Sequence, residues 1–123
     1  MTDATLPLRQ IHPKFIQHDR VTSQAFRPTP KDENQLSVDN GDRISAAESF
    51  ALFFAQPECL SAGVMAVSQG ECQVCGVQAV EDGVPYIEHC YLDFAPFGGK
   101  QVNRIGKKLL AKAQGRGWLF EAK

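Results

Sequence analysis

The polar side chains best suited to catalysis or ligand binding lie in the first third of the chain. Arg20 and Arg27 could together hold a carboxylate or a phosphate, because each guanidinium offers a planar fork of donors. His12 and Asp39 are candidate bases, and general base catalysis needs such a group within hydrogen-bond reach of the ligand. If the protein is an enzyme, we expect it to act on a nucleotide or another phosphorylated ligand. The catalytic candidates are Arg20, Ser23, Arg27 and His12.

No motif of a known catalytic class accompanies this cluster. The chain has no Walker loop, no dinucleotide-binding glycine fingerprint, no HExxH and no nucleophile elbow. His12 precedes Pro13, which restricts it to extended backbone and is typical of a structural histidine. Polar residues scattered along an exposed segment usually serve solubility alone. A non-enzymatic role is therefore favoured.

A second chemical signal is a row of cations on the predicted last helix. Steps of four residues drift by about 40° on a helix, so these side chains form a slowly winding stripe. No acidic residue lies between Asp93 and Glu121, and Gly98-Gly99 leave backbone N–H groups accessible at the positive helix end, where anions bind. The row consists of Lys100, Arg104, Lys107, Lys108, Lys112 and Arg116.

Charge is segregated along the whole chain, although the formal net charge is only −1. Residues 1–31 carry a net +3, residues 32–93 a net −10 and residues 94–123 a net +6. Such a distribution indicates directed association, so we expect the basic row to bind an acidic protein partner. The alternatives are a nucleic acid, which a pI near 6.3 disfavours, a second copy of the chain, and an ordinary solvated face.

The four cysteines raise the question of a metal site. Cys72 and Cys75 have the spacing of a zinc knuckle, and His89-Cys90 could complete four ligands after a 13-residue gap. Against zinc, residues 74–80 also fit an extended chain, in which Cys72 and Cys75 would point to opposite sheet faces, and His89 and Cys90 would diverge likewise. We therefore expect buried free thiols and no cofactor, with zinc as the alternative.

Local signals in the first half of the chain predict the elements that would position these groups. Residues 28–35 contain two prolines and no large apolar side chain, so they are expected to form an exposed polar loop. Extended pieces at 23–27 and 36–39 would flank it. Ser45 and Glu48 form a capping box that starts a helix, and three phenylalanines predict that this helix is the main core anchor.

The second half is predicted to contain three strands and one helix. Strands are expected at 63–67, in a run reaching Val80, and at about 85–94, with Gln69-Gly70 forming a turn. A helix should follow from about Lys100 to Gln114 with Gly115 as its C-cap.

These elements indicate a single two-layer α+β domain over residues 1–123, with a mainly antiparallel sheet and two helices packed on one face. The longest apolar run, residues 50–55, is too short to span a bilayer, and the first residues do not resemble a signal peptide. We expect a cytoplasmic protein with reduced cysteines.

Three functions remain open. The first is a small interaction or accessory module that binds an acidic macromolecular partner through the basic C-terminal helix. The second is an enzyme for a nucleotide or other phosphorylated ligand that uses the N-terminal cluster. The third is a zinc-stabilised, nucleic-acid-associated domain.

Overall fold

One antiparallel sheet forms the centre of the protein in the computed structural model, which describes residues 1–29 and 32–122. The strands of this sheet are β1 (Pro7–Gln10), β4 (Gln35–Asn40), β5 (Gly63–Ala66), β6 (Gln78–Val80), β7 (His89–Asp93) and β8 (Phe120–Glu121). They lie in the order β6-β7-β4-β1-β5-β8. A separate two-stranded hairpin consists of β2 (Ile16–Gln17) and β3 (Arg20–Val21).

α-Helices and short 3₁₀ helices complete the part of the fold that the structure describes. They are α1 (Ala46–Phe54), α2 (Gln69–Val74), α3 (Gly99–Arg116), and the 3₁₀ helices Pro13–Phe15 and Ser23–Phe26. The first helix begins where the sequence predicts, because Ser45 accepts from the backbone N–H of Glu48 and the Glu48 carboxylate accepts from the Ser45 N–H. Within 1–29 and 32–122, no helix has the length and apolar character needed to cross a bilayer.

The main core lies between the sheet and α3. Successive strand residues point to opposite faces, so alternate residues of β4, β5 and β7 meet the buried stripe of this helix. Each fully buried aliphatic or aromatic side chain stabilises the fold by roughly 1.5–3 kcal/mol. The cluster includes Leu36, Val38, Met65, Val67, Cys72, Cys90, Leu92, Phe94, Ile105, Leu109 and Ala113.

Helix α1 covers the opposite face of the sheet. Leu8, Val64 and Ala66 point away from the main core and pack against Phe50 and its neighbours. The mixed α+β class and the mainly antiparallel sheet are confirmed. The two helices that share one face are α2 and α3, because α2 places Cys72 in the main core; α1, the first helix predicted from the sequence, lies on the other face.

The prediction that α1 is the main core anchor is wrong. Phe54 is 52% exposed, and Phe50 and Phe53 are only half-buried. The helix lies over the β1-β5-β8 half of the sheet and keeps one side in solvent, so its aromatic residues cannot all turn inward.

Three local predictions are also wrong. Gln69-Gly70 is the first turn of α2 rather than a hairpin turn, because Ser68 and Glu71 form a second capping box. Residues 23–26 form a 3₁₀ helix instead of an extended piece. Helix α3 continues past Gly115 and ends at Gly117, whose φ of +79° suits a residue without a Cβ.

The predicted polar loop at 28–35 is only partly described, since residues 30 and 31 lie outside the described residues. On its two described sides, Asp32 accepts hydrogen bonds from the backbone N–H and the hydroxyl of Thr29 at 2.8 and 2.9 Å. Gln35 already belongs to β4.

Candidate functional site

The candidate site is a cleft that opens where β1 and β4 separate. These strands pair only at Pro7↔Asn40 and Leu8↔Asp39, whereas β4 continues along β7 to Gln35. The gap between the separating strands leads into a cavity of about 400 Å³. This volume lies in the range typical of small-molecule pockets.

Arg9 fills the floor of the gap and bridges the separated strands. Its Nε donates to the Ala25 carbonyl at 2.7 Å, and one terminal nitrogen donates to the Ser37 carbonyl of β4 at 3.0 Å. The guanidinium also lies over the Phe15 ring, 5.7 Å from its centroid. A side chain thus replaces the missing strand partner of β4 and holds a cation at the base of the cleft.

Burial lowers the pKa of Arg9 to about 10, although the charge of Asp32 acts in the opposite direction. The group is therefore still a cation at neutral pH. No carboxylate among residues 1–29 and 32–122 forms an ion pair with it. Its second terminal nitrogen makes no hydrogen bond within the same residues. A half-buried guanidinium with a spare donor and no counter-ion is suited to bind an anion.

Three further donors line the same cleft. Arg27 follows the second 3₁₀ helix and is oriented by a hydrogen bond to Asn103 of α3. Lys14 lies beside Phe15, with Nζ 5.6 Å from the ring centroid. His12 accepts at Nδ1 from the Lys14 backbone N–H at 3.0 Å, so the neutral ring carries its proton on Nε2. Burial and the Lys14 charge both lower the pKa of His12 and favour this neutral form.

Asp39 supplies a buried carboxylate to the cleft. It is only 3% exposed and accepts from the Ser49 hydroxyl at 2.5 Å and the Tyr86 hydroxyl at 2.8 Å. Burial raises the pKa of Asp39, while the hydrogen bonds from Ser49 and Tyr86 and the nearby His89 partly offset that rise. The two hydroxyl groups therefore stabilise a charge that the surroundings disfavour.

A relay of hydrogen bonds fixes this carboxylate from behind. Ser61 Oγ donates to Gln10 Oε1 at 2.8 Å, and Gln10 Nε2 donates to Ser49 Oγ at 2.9 Å. Because Ser49 already accepts a hydrogen bond, its own proton is free to point at Asp39. The relay connects β1, α1 and β4, so it holds the carboxylate rigidly.

His89 and Tyr86 complete the polar wall. His89 is directly opposite Asp39 in the β4–β7 register, and its Nδ1 lies 2.7 Å from Asp82 Oδ1. The rings of Tyr86 and His89 pack edge to face at 5.8 Å. Burial and the hydrogen bond to Asp39 raise the pKa of Tyr86, so its hydroxyl stays protonated as a donor.

The rest of the wall is apolar. Phe53 of α1 and Pro85 of the β6–β7 connection both line the cleft, together with Leu60. Leu60 is 50% exposed, which leaves an apolar surface at the mouth. The cleft therefore combines cations, a fixed carboxylate and apolar side chains.

The structure brings together some of the sequence-predicted site residues and separates others. His12 and Arg27 line the cleft, as does Asp39. Arg20 is exposed on β3, and Ser23 begins the second 3₁₀ helix; neither lines the cleft. Sequence reasoning missed Arg9, Gln10, Ser49 and Tyr86, whose roles depend on contacts between distant segments.

All six cations of the basic row are exposed on α3. Arg116 donates to Glu71 at 2.6 Å, and the other five form no ion pair with any residue in 1–29 or 32–122. Burial would raise the pKa of Glu71, but hydrogen bonds from Arg116 and Ser68 outweigh it and lower that pKa. Lys108 and Lys112 also line a shallow groove between α2 and α3.

The cysteines do not lie as the sequence suggested. Cys72 is buried in α2 and Cys75 caps that helix, so the expectation that both lie on a strand is wrong. Burial raises the pKa of Cys72 to about 12 and that of Cys90 to about 11, with smaller contributions from nearby acidic groups. Across the described parts of the chain, no three His, Cys, Asp or Glu side chains are grouped so that they could hold a metal ion.

Compared with known proteins, the chain matches no protein-family model, no curated protein and no solved structure.

Proposed function

We propose that the protein binds a small phosphorylated or carboxylated molecule in the cleft between β1 and β4. The observation that carries this proposal is Arg9, a half-buried cation with a spare donor and no ion-pair partner among residues 1–29 and 32–122. Keeping a charge away from water is costly unless a partner compensates it. An anionic ligand supplies that partner.

Arg27, Lys14 and His12 complete the anion site. Arg27 and Lys14 contribute two more positive charges, and neutral His12 offers the Nε2 proton. The Arg27 hydrogen bond to Asn103 orients its guanidinium before a ligand arrives, which lowers the entropy lost on binding. Phosphate and carboxylate oxygens both match such a set of donors.

Calorimetric titration with inorganic phosphate tests the anion site. Arg27→Ala should weaken phosphate binding by about 10- to 150-fold, the equivalent of one charge-assisted hydrogen bond. Arg20→Ala is the matched control, because Arg20 is exposed on the β2–β3 hairpin and does not line the cleft. Equal losses in both variants, or no phosphate binding by the wild type, would contradict the proposal.

A second candidate function is docking of an acidic protein partner on the basic row. The specific observation is that Lys100, Arg104, Lys107, Lys108 and Lys112 are exposed and form no ion pair in the described part of the chain. Both candidate functions fit a protein of the cytoplasm, where anionic metabolites and acidic partners are abundant.

Binding of polyglutamate and of duplex DNA, measured by fluorescence anisotropy, tests this second function. Arg104→Glu should abolish polyglutamate binding, whereas Arg20→Glu should leave it within twofold. Preference for duplex DNA, with affinity falling at least tenfold between about 50 and 200 mM salt, would favour a nucleic acid instead. Sedimentation of the same variants tests self-association.

A further inference from the structure

The cleft carries more recognition groups than an inorganic anion needs. Beside the cations it presents a fixed carboxylate, Asp39, and an apolar wall that includes Phe53 and Tyr86. The cations favour an anionic group, the carboxylate favours hydrogen-bond donors, and the apolar wall favours an apolar or planar group. Together they define a ligand with three distinct parts.

The cation and the carboxylate point to different sides of the sheet. Asp39 pairs with Leu8, whose side chain packs on the α1 side. Arg9, the next residue of β1, contacts Phe15 of the main core on the α3 side. Both side chains nevertheless line the same cavity, which passes between β1 and β4. A ligand that reaches both must therefore carry an anionic group at one end and hydrogen-bond donors at the other, as a 5′-phosphorylated ribose does.

Asp39 is suited to accept hydrogen bonds from sugar hydroxyls. Each of its oxygens already accepts one hydrogen bond, from Ser49 and from Tyr86, and a carboxylate can accept about four. The relay through Gln10 prevents the carboxylate from rotating away. It therefore remains an acceptor at a fixed position facing the cavity.

The aromatic side chains supply a surface for a planar base. Phe53 comes from α1 and Tyr86 from the connection between β6 and β7, so the cavity is lined by rings from two separate elements. Stacking on aromatic rings is the usual way in which proteins hold a nucleobase without reading its identity.

Resting on the proposed anion site, we infer that the ligand is a nucleoside monophosphate. Its phosphate binds Arg9 and Arg27, its ribose hydroxyls donate to Asp39, and its base packs against Phe53 and Tyr86. No chemical transformation is required for this assignment.

Calorimetric titrations with inorganic phosphate, ribose 5-phosphate and AMP measure how much the phosphate, the ribose and the base each contribute to the affinity. The wild type should bind ribose 5-phosphate at least tenfold more tightly than phosphate, and AMP more tightly still. Asp39→Asn should remove most of the preference for ribose 5-phosphate over phosphate without weakening phosphate itself. Asp19→Asn is the control, because Asp19 is exposed and its φ of +63° suits asparagine. Should Asp39→Asn fail to fold, Tyr86→Phe should reduce the same preference.

Substitutions of two neighbouring phenylalanines test whether the base packs against the aromatic wall. Phe53→Ala should weaken AMP binding by about 5- to 150-fold and leave ribose 5-phosphate unchanged. Phe54→Ala should change neither, because Phe54 is 52% exposed and does not line the cleft.

Different results would contradict the nucleotide assignment and the anion site. If Arg27→Ala weakens all three ligands equally while Asp39→Asn and Phe53→Ala alter no preference, the anion site stands and the nucleotide assignment is wrong. If the wild type binds none of the three, the anion site itself is wrong.

Discussion

Replacing Ser49 with alanine removes the central member of the hydrogen-bond relay behind Asp39. Ser49 is fully buried, so water cannot take the place of its hydroxyl. The variant leaves Gln10 Nε2 without its acceptor and Asp39 Oδ2 without its donor. A lost neutral hydrogen bond costs about 1 kcal/mol and one to a charged group about 1.5–3 kcal/mol. We therefore expect the free energy of unfolding at pH 7 to fall by about 2.5–4 kcal/mol, with Tm lower by roughly 10–16 °C.

The same variant has a defined pH dependence. Burial raises the pKa of Asp39, so protonation of the folded protein relieves the cost of its buried charge as the pH falls. The Ser49 hydroxyl stabilises the charged form of Asp39 and thereby keeps that pKa from rising further. The deficit of Ser49→Ala should hence be largest near neutral pH and should narrow in acid to about 1 kcal/mol, the neutral bond to Gln10.

Urea unfolding followed by circular dichroism between pH 7.5 and pH 4 measures both effects. Ser45→Ala is the control, because it changes the same residue type at the cap of the same helix and makes no contact with Asp39. A deficit below about 1 kcal/mol at pH 7, or one that stays constant across this range, would refute a charged Asp39 held by Ser49.

Other predictions concern the two sides of α3. Gly115→Ala should stabilise the protein by about 0.5–1 kcal/mol in urea unfolding, because nothing lies within 4 Å of the added Cβ. Gly106→Ala should bring no gain, because its Cβ would meet the Ser23 carbonyl at 3.2 Å; equal gains would mean that the second 3₁₀ helix does not dock there. Arg116→Ala should cost about 1 kcal/mol at pH 7, the upper end for a surface ion pair, because less than a third of the Arg116 and Glu71 side chains is exposed. The lowered pKa of Glu71 means that this contribution is present above its usual value of 4.5 and lost below it, so unfolding curves of variant and wild type should converge in acid.

Local signals predicted the elements that depend on neighbouring residues. The capping box at Ser45 located the start of α1, and the alternating pattern at 36–39 located β4. Ser68 and Glu71 form a capping box that predicts the start of α2 in the same way. Gly70 in its first turn is also typical of a hairpin turn, which led to the wrong prediction. That helix was therefore predictable from the sequence.

Strand β1 was not predictable by the same means. Its four residues show no clear period, and its partners β4 and β5 lie about 30 and 55 residues further along the chain. A short central strand is defined by such distant pairing rather than by its own side chains. The cleft depends on where the pairing of β1 with β4 stops, so its location could not be read from local patterns either.

Arg9 illustrates why the candidate site was only partly predicted. In the sequence it is one basic residue among several near the N-terminus, and the polar cluster around it indicates Arg20 and Arg27 as the anion-binding pair instead. Only the fold reveals that Arg9 fills the gap between two strands and that Arg20 points elsewhere. His12, Arg27 and Asp39 were identified because polar clusters in connecting segments often carry binding groups.

The central claim is that Arg9 and Arg27 bind one anion in the cleft between β1 and β4. A phosphate titration of ¹⁵N-labelled protein, followed at the arginine Nε–H resonances, tests it without any substitution. The Arg9 and Arg27 signals should shift together and saturate at one dissociation constant, while the Arg20 signal stays in place. Shifts of all three that grow linearly with phosphate, or a saturable shift at Arg20 alone, would contradict the account.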